Sequence, residues 1–195
     1  MTVKFINAKE AASMTPDGST VAIDAFISFC LADDILGQIE SRFVSEGHPS
    51  SLSVVNVAGI GGDGKNRGIN HFAHKGLMRR FLCSNLSLAN KIYPLITEDA
   101  FPSFLIPQGV LSHMLRAIAS GKPGIITEVG MKTFVDPRRD GGGINDAAKK
   151  CDERPVQLIQ LNGSDCLFYP AFSIDIAIIK GSKADKNGNI SLEKE

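Results

Sequence analysis

Tryptophan is absent from the 195 residues and tyrosine occurs twice. No C-x-x-C pair occurs either. Cys30, Cys83, Cys151 and Cys166 are scattered, which excludes a zinc ribbon or a disulfide framework and fits free thiols in a reducing cytoplasm. Cys30 and Cys83 stand among apolar residues and read as core. Net charge is also lacking: Lys plus Arg equals Asp plus Glu, 21 each. A nucleic-acid partner drawn by bulk attraction is therefore not expected. No apolar run approaches membrane-spanning length, and the opening MTVKFINAKEA lacks the apolar centre of a signal peptide. The expected location is cytoplasmic, with no membrane association.

What is present is ordinary globular composition, 43% hydrophobic and 22% charged, in a length suited to one domain with a real core. Asn7 can cap a short helix, and Pro16-Asp17-Gly18 is a turn. TVAIDAF (20–26) and 52–57 read as buried strands, with Leu31, Ile35, Ile39 and Phe43 marking an amphipathic helix between them. Residues 81–83 form a third strand, and 86–95 a helix or one turn of it. Phe104-Leu105-Ile106 is a further strand, stopped by Pro107-Gln108-Gly109. Val110, Leu111, Met114, Leu115 and Ile118 then recur at helical spacing until Gly121. Short strands follow at 124–127 and 173–180, and Asn162-Gly163 between apolar runs is a strong hairpin signal. Strands alternating with helices predict an α/β fold, an open, mostly parallel sheet flanked by helices, with a late β-hairpin.

Gln108 thus falls between a strand end and a helix N-terminus. Ligands of open α/β sheets bind at such places, and an uncharged amide there can donate to an oxygen without pairing as an ion. The plainer reading is a polar residue completing a turn. Residues 58–76 contain six glycines with Lys65, Arg67 and Lys75, a length of loop that compact domains tolerate mainly for function. A phosphate cradle is not assigned, because no helix starts directly after the glycines. His71 and His74 have no third ligand at matching spacing, so structural or surface roles are expected and no metal site.

Several stretches in order, Asn56-Val57-Ala58-Gly59, GINHFAHKG (68–76), PQGVLSHMLR (107–116), TFVDPRRDGGGI (133–144) and ADKNGN (184–189), give the chain its resemblance. It resembles the N-terminal half of family I coenzyme A transferases, nearest the fused acetate or propionate type. The resemblance implies transfer of CoA from an acyl-CoA to a short-chain carboxylate through a glutamyl-CoA thioester. Covalent catalysis of this kind splits one difficult exchange into easier acyl transfers. It implies coenzyme A as substrate, no cofactor, and a homo-oligomer.

In the family the nucleophilic glutamate lies in the C-terminal half, so no catalytic residue is expected here, and a C-terminal half or partner subunit is. The matching motifs imply that Gln108, Asn56, Ala58 and Gly59 line the substrate and oxyanion pocket. One departure concerns the first loop. Asp24 and Ala25 stand where the family has glycines, Phe26 is kept, and a Pro-Glu pair is missing. Asp24 would repel a substrate carboxylate. The last residues stop as a helix would open, so residues 1–195 read as one N-terminal domain cut short at its C-terminus. The alternative is an α/β binding protein that keeps the fold without the nucleophile. A sugar-phosphate isomerase would need an acid–base pair that the sequence does not show.

Overall fold

The computed structural model describes residues 3–62 and 66–193. In chain order come α1 (Ala8–Ser13), β1 (Thr20–Ile23), α2 (Asp33–Glu46), β2 (Leu52–Asn56), a 3-10 turn over Gly68–Phe72, and β3 (Met78–Cys83). α3 (Ile92–Thr97), β4 (Ser103–Leu105), α4 (Gln108–Ala119), β5 (Gly124–Thr127) and α5 (Asp146–Lys149) come next. The last part is all strand: β6 (Gln157–Leu161), β7 (Ser164–Pro170), β8 (Ile176–Ile178), β9 (Lys183–Ala184) and β10 (Ile190–Ser191).

Strands apolar on both faces need cover on both faces, and the architecture supplies it. β4-β3-β2-β1-β8 form one parallel sheet. On one face Val21, Ile23, Val54, Phe81 and Cys83 pack against α1, α2, the 3-10 turn and α3. On the other, Val55, Leu82 and Phe104 pack against α4 and against Leu167 and Tyr169 of a second, antiparallel sheet, β5-β7-β6. Burial pushes the Cys83 thiol up to about 12, as befits an inert core residue.

Local signals account for much of this. Asn7 and Glu10 form a capping box on α1, each side chain bonding the other's backbone N–H at 2.9 Å. Asn162 and Gly163 both adopt positive φ, 51° and 79°, the backbone a two-residue hairpin requires. Gly121, φ 68°, follows α4. The helix expected over 86–95 starts only at Ile92. Buried Asn70 explains the delay, because its side chain donates to Leu88 O at 2.8 Å and accepts from Lys91 N at 2.9 Å. β1 ends at Ile23, where Asp24 N–H turns to Ile178 O.

The glycine-rich segment 132–145 is a knot of turns. Asp136 accepts from Lys132 N, from Arg138 N and from the Arg138 guanidinium at two points, all between 2.8 and 3.0 Å. Arg138 also reaches Asp165 on β7 at 2.8 Å. Bonding from Arg138 chiefly, then the Lys132 N–H, holds the Asp136 carboxyl far below its usual range. A depressed carboxylate contributes stability that is present above its unfolded pKa of about 3.9 and lost as pH falls below it. Asp136→Asn is accordingly expected to lower the melting temperature near neutral pH and to flatten the acid limb of the stability curve. Thermal melts from about pH 7 to about pH 3 check this; an unchanged acid limb would remove Asp136 from that role.

Candidate functional site

The parallel strands end on a common edge, and three loops meet there. Leu105 leads through Pro107, the N-cap, into α4, so Gln108 is that helix's first residue. The first amides of a helix have no partner within it, and α4 carries no side-chain cap. Gln108 is exposed, and its side chain makes no hydrogen bond among the described residues. A turn-completing role would require such a bond, so the plainer reading of this residue lacks its contact.

Gln108 faces a cavity of about 310 Å³ whose other walls include Asp24, Phe26, Phe29, Cys30 and Ala58. The loop after β1 and the loop after β2 are joined backbone to backbone. Ile27 N donates to Gly59 O at 2.9 Å and Gly61 N donates to Ile27 O at 3.1 Å. Ile27 and Cys30 hold positive φ, 58° and 54°, a conformation that residues other than glycine adopt at a cost and that clusters at binding loops. Phe26 and Phe29 remain more than half exposed, giving the cavity an apolar lip.

The four expected residues occupy two depths. Gln108 and Ala58 line the cavity. Asn56 lies behind them, 1% exposed, its Nδ2 donating to Ala58 O and its Oδ1 buried without a partner. Gly59, half-buried, lies next to the wall without lining it; a Cβ there would sit 3.0 Å from Asn85 Oδ1. Asp24 is exposed at the mouth, and Ala25, buried, lines the same cavity. Cys30, read from sequence as core, is half-buried and belongs to the cavity wall, a placement its apolar neighbours in the sequence did not signal.

The glycine-rich loop is held from below. Glu40 on α2 lies 2.6 Å from His71 Nδ1 and 2.8 Å from His74 Nε2. Burial alone would raise the Glu40 carboxyl; bonds from His71, His74 and Asn66 outweigh it and keep it below the usual range. Asp33 at the start of α2 accepts from Gly68 N at 2.7 Å. Gly59, Gly61 and Gly64 stand at dinucleotide-fingerprint spacing. The next element, however, is the 3-10 turn 68–72, not an α-helix whose N-terminus could hold a pyrophosphate. Gly64 and Lys65 lie outside the described residues. Among the described residues no group of three or more His, Cys, Asp or Glu is placed to hold a metal, and no helix is long and apolar enough to cross a membrane.

Comparison with known proteins adds the lineage. A model of the family described as "Coenzyme A transferase" matches residues 5–195. The caffeate CoA-transferase of Acetobacterium woodii is 38% identical over 192 residues, 98% of this chain and 36% of that protein. The crystal structure of the acyl-CoA transferase YdiF apoenzyme from Escherichia coli O157:H7 superposes with a TM-score of 0.92 at 31% identity, covering 100% of this chain and 37% of that one. A second crystal structure of YdiF, described as a thioester complex with CoA, gives 0.89. The chain thus spans little more than a third of the length of these relatives. With the match running along nearly every residue, the chain belongs to the coenzyme A transferase family.

Proposed function

We propose that these 195 residues are the N-terminal part of a short-chain acyl-CoA:carboxylate CoA-transferase, with its nucleophilic glutamate supplied by polypeptide outside them. The observation that carries this reading is the cavity at the strand edge, with an uncommitted amide and, among the described residues, no glutamate in its wall. Each described glutamate has another place. Glu40 holds His71 and His74, Glu153 faces Arg80, and Glu98 pairs with Lys75. Glu46, Glu10 and Glu193 are engaged by Arg42, Asn7 and Lys183, and Glu128 is exposed beside β5. Glu195 lies outside the described residues.

The chemistry then divides between parts. A glutamate carboxylate attacks the acyl-CoA carbonyl, and CoA thiolate leaves as a mixed anhydride forms. The thiolate attacks the glutamyl carbonyl, the first acid leaves, and the second acid reverses the sequence. Each step passes through a tetrahedral oxyanion, which fixed donors stabilise. The Gln108 amide is such a donor, Ala58 shapes the wall, Asn56 holds that wall from behind, and Gly59 ties it to the loop after β1. Coenzyme A is substrate, and the acyl exchange itself calls for no metal or redox cofactor. The completing part is a C-terminal half or a partner subunit, in a cytoplasmic homo-oligomer. The thioester complex of the YdiF relative supports the covalent route.

The purified chain alone is expected to show no acyl exchange between acetyl-CoA and propionate or butyrate, and a longer protein carrying the remaining length to show it. Clear turnover by the 195 residues alone would overturn this division of labour.

A further inference from the structure

At the opposite end of the same sheet, buried polar atoms are left without partners. Ser53 and Arg80 are paired across β2 and β3, so both side chains project from one face. Ser53 Oγ and Arg80 Nε are buried and unbonded. Leaving such atoms unmet is costly, more so for a charged group. The Arg80 guanidinium is only partly answered. Nη2 donates to the Glu153 backbone carbonyl at 3.0 Å, while the Glu153 carboxylate is 3.5 Å from Nη1 and largely exposed. The group stacks over Phe104, 5.3 Å from the ring centre, which fixes its plane. Burial pulls it down from its usual range, and Glu153 pulls the other way.

Two adjoining cavities meet at this guanidinium, sharing Arg80, Leu82, Glu153 and Phe172. One, about 140 Å³, contains Thr20, Ser53 and Arg79. The other, about 210 Å³, runs under α4 between Ile106, Val110, Leu111 and Met114. Arg79, Arg80 and Arg154 face them against the single carboxylate of Glu153, so the pair of cavities favours an anion. An apolar cavity of roughly 150 Å³ suffices for a benzene ring. Ser53 stands three residues before Asn56, the end of β2, which at about 3.3 Å per residue places it roughly 10 Å from the edge where the other cavity opens.

We propose that this paired cavity is a second binding site, which takes a monocarboxylate with a short alkyl or phenyl tail. The carboxylate accepts from Arg80 Nε and Ser53 Oγ, and the tail lies against Leu82, Ile106 and Met114. The site needs no transferase chemistry, so its test is independent of the function proposed above.

The test is titration of the 195-residue chain with benzoate, followed through methyl resonances. Benzyl alcohol, similar in shape but uncharged, is the control. Saturable shifts at Leu82, Ile106 and Met114 are expected with benzoate and not with the alcohol. Arg80→Leu should weaken binding about 10- to 100-fold, the loss expected for a hydrogen bond to a charged group. Glu153→Gln, at an exposed position, removes the competing carboxylate and should tighten benzoate binding about two- to fivefold. That variant keeps the test decisive even where Arg80→Leu fails to fold. Equal binding of the alcohol, shifts confined to Ala25, Val57 and Ala58 of the strand-edge cavity, or no response to Glu153→Gln would each overturn the proposal.

Discussion

In an active enzyme containing this chain, Gln108→Ala is expected to lower turnover by roughly 10²- to 10³-fold, the usual loss for one oxyanion donor. The melting temperature should hardly move. Gln108 is exposed, its side chain is bonded to nothing described, and it occupies the first position of α4. Surface changes away from caps and buried networks stay within about 0.5 kcal/mol, and Ala suits a helix at least as well as Gln. Gln108→Glu sharpens the result. It preserves shape but removes the donor and adds a charge beside Asp24, so it should be no better than Ala. Turnover and thermal midpoint are measured on the same variants. Near-normal turnover with a lowered midpoint would return Gln108 to a turn-holding role.

What could be read from the chain and what could not differ in physical reach. Asn7 with Glu10, Asn162 with Gly163, and Pro107 before α4 act within a few residues, so their structures follow from neighbours. The apolar runs of β1 to β4 predicted a sheet covered on both faces, as the packing around Val54, Val55, Phe81 and Leu82 shows. The position of Gln108 at a strand-to-helix junction was legible for the same reason. Arg80 meeting Glu153 across 73 residues was not, and neither was Arg138 meeting Asp165. Such pairs depend on which strands become neighbours, and no local period encodes that. The loop after β2 was legible as unusual but not in its purpose. Its glycines marked a functional loop without a phosphate cradle, and the structure uses Gly61 and Gly68 to let backbone cross backbone.

That crossing carries the second large effect, at Gly68. Its φ is 59°, and a Cβ there would fall 2.7 Å from Gly61 N, 2.8 Å from Gly61 Cα and 2.9 Å from Ile60 C. All three are backbone atoms, so no side-chain rotation relieves the contact. Gly68→Ala therefore combines a strained conformation with overpacking, each about 1–3 kcal/mol. A total on the order of 2–6 kcal/mol corresponds to a drop of roughly 4–24 °C in a chain of this size. The damage should reach the candidate site, because Gly61 N–H is bonded to Ile27 O in the loop that carries Phe26 and Phe29. Gly109→Ala is the matched control. Gly109 lies in α4, and a methyl group added there would meet nothing within 4 Å. Ala in place of Gly within a helix gains about 0.5–1 kcal/mol. Calorimetric melts of the two variants should therefore move in opposite directions. Equal small shifts would mean that the loop relaxes freely at Gly68, and the 58–68 crossing would then lose its claim to hold the cavity in shape.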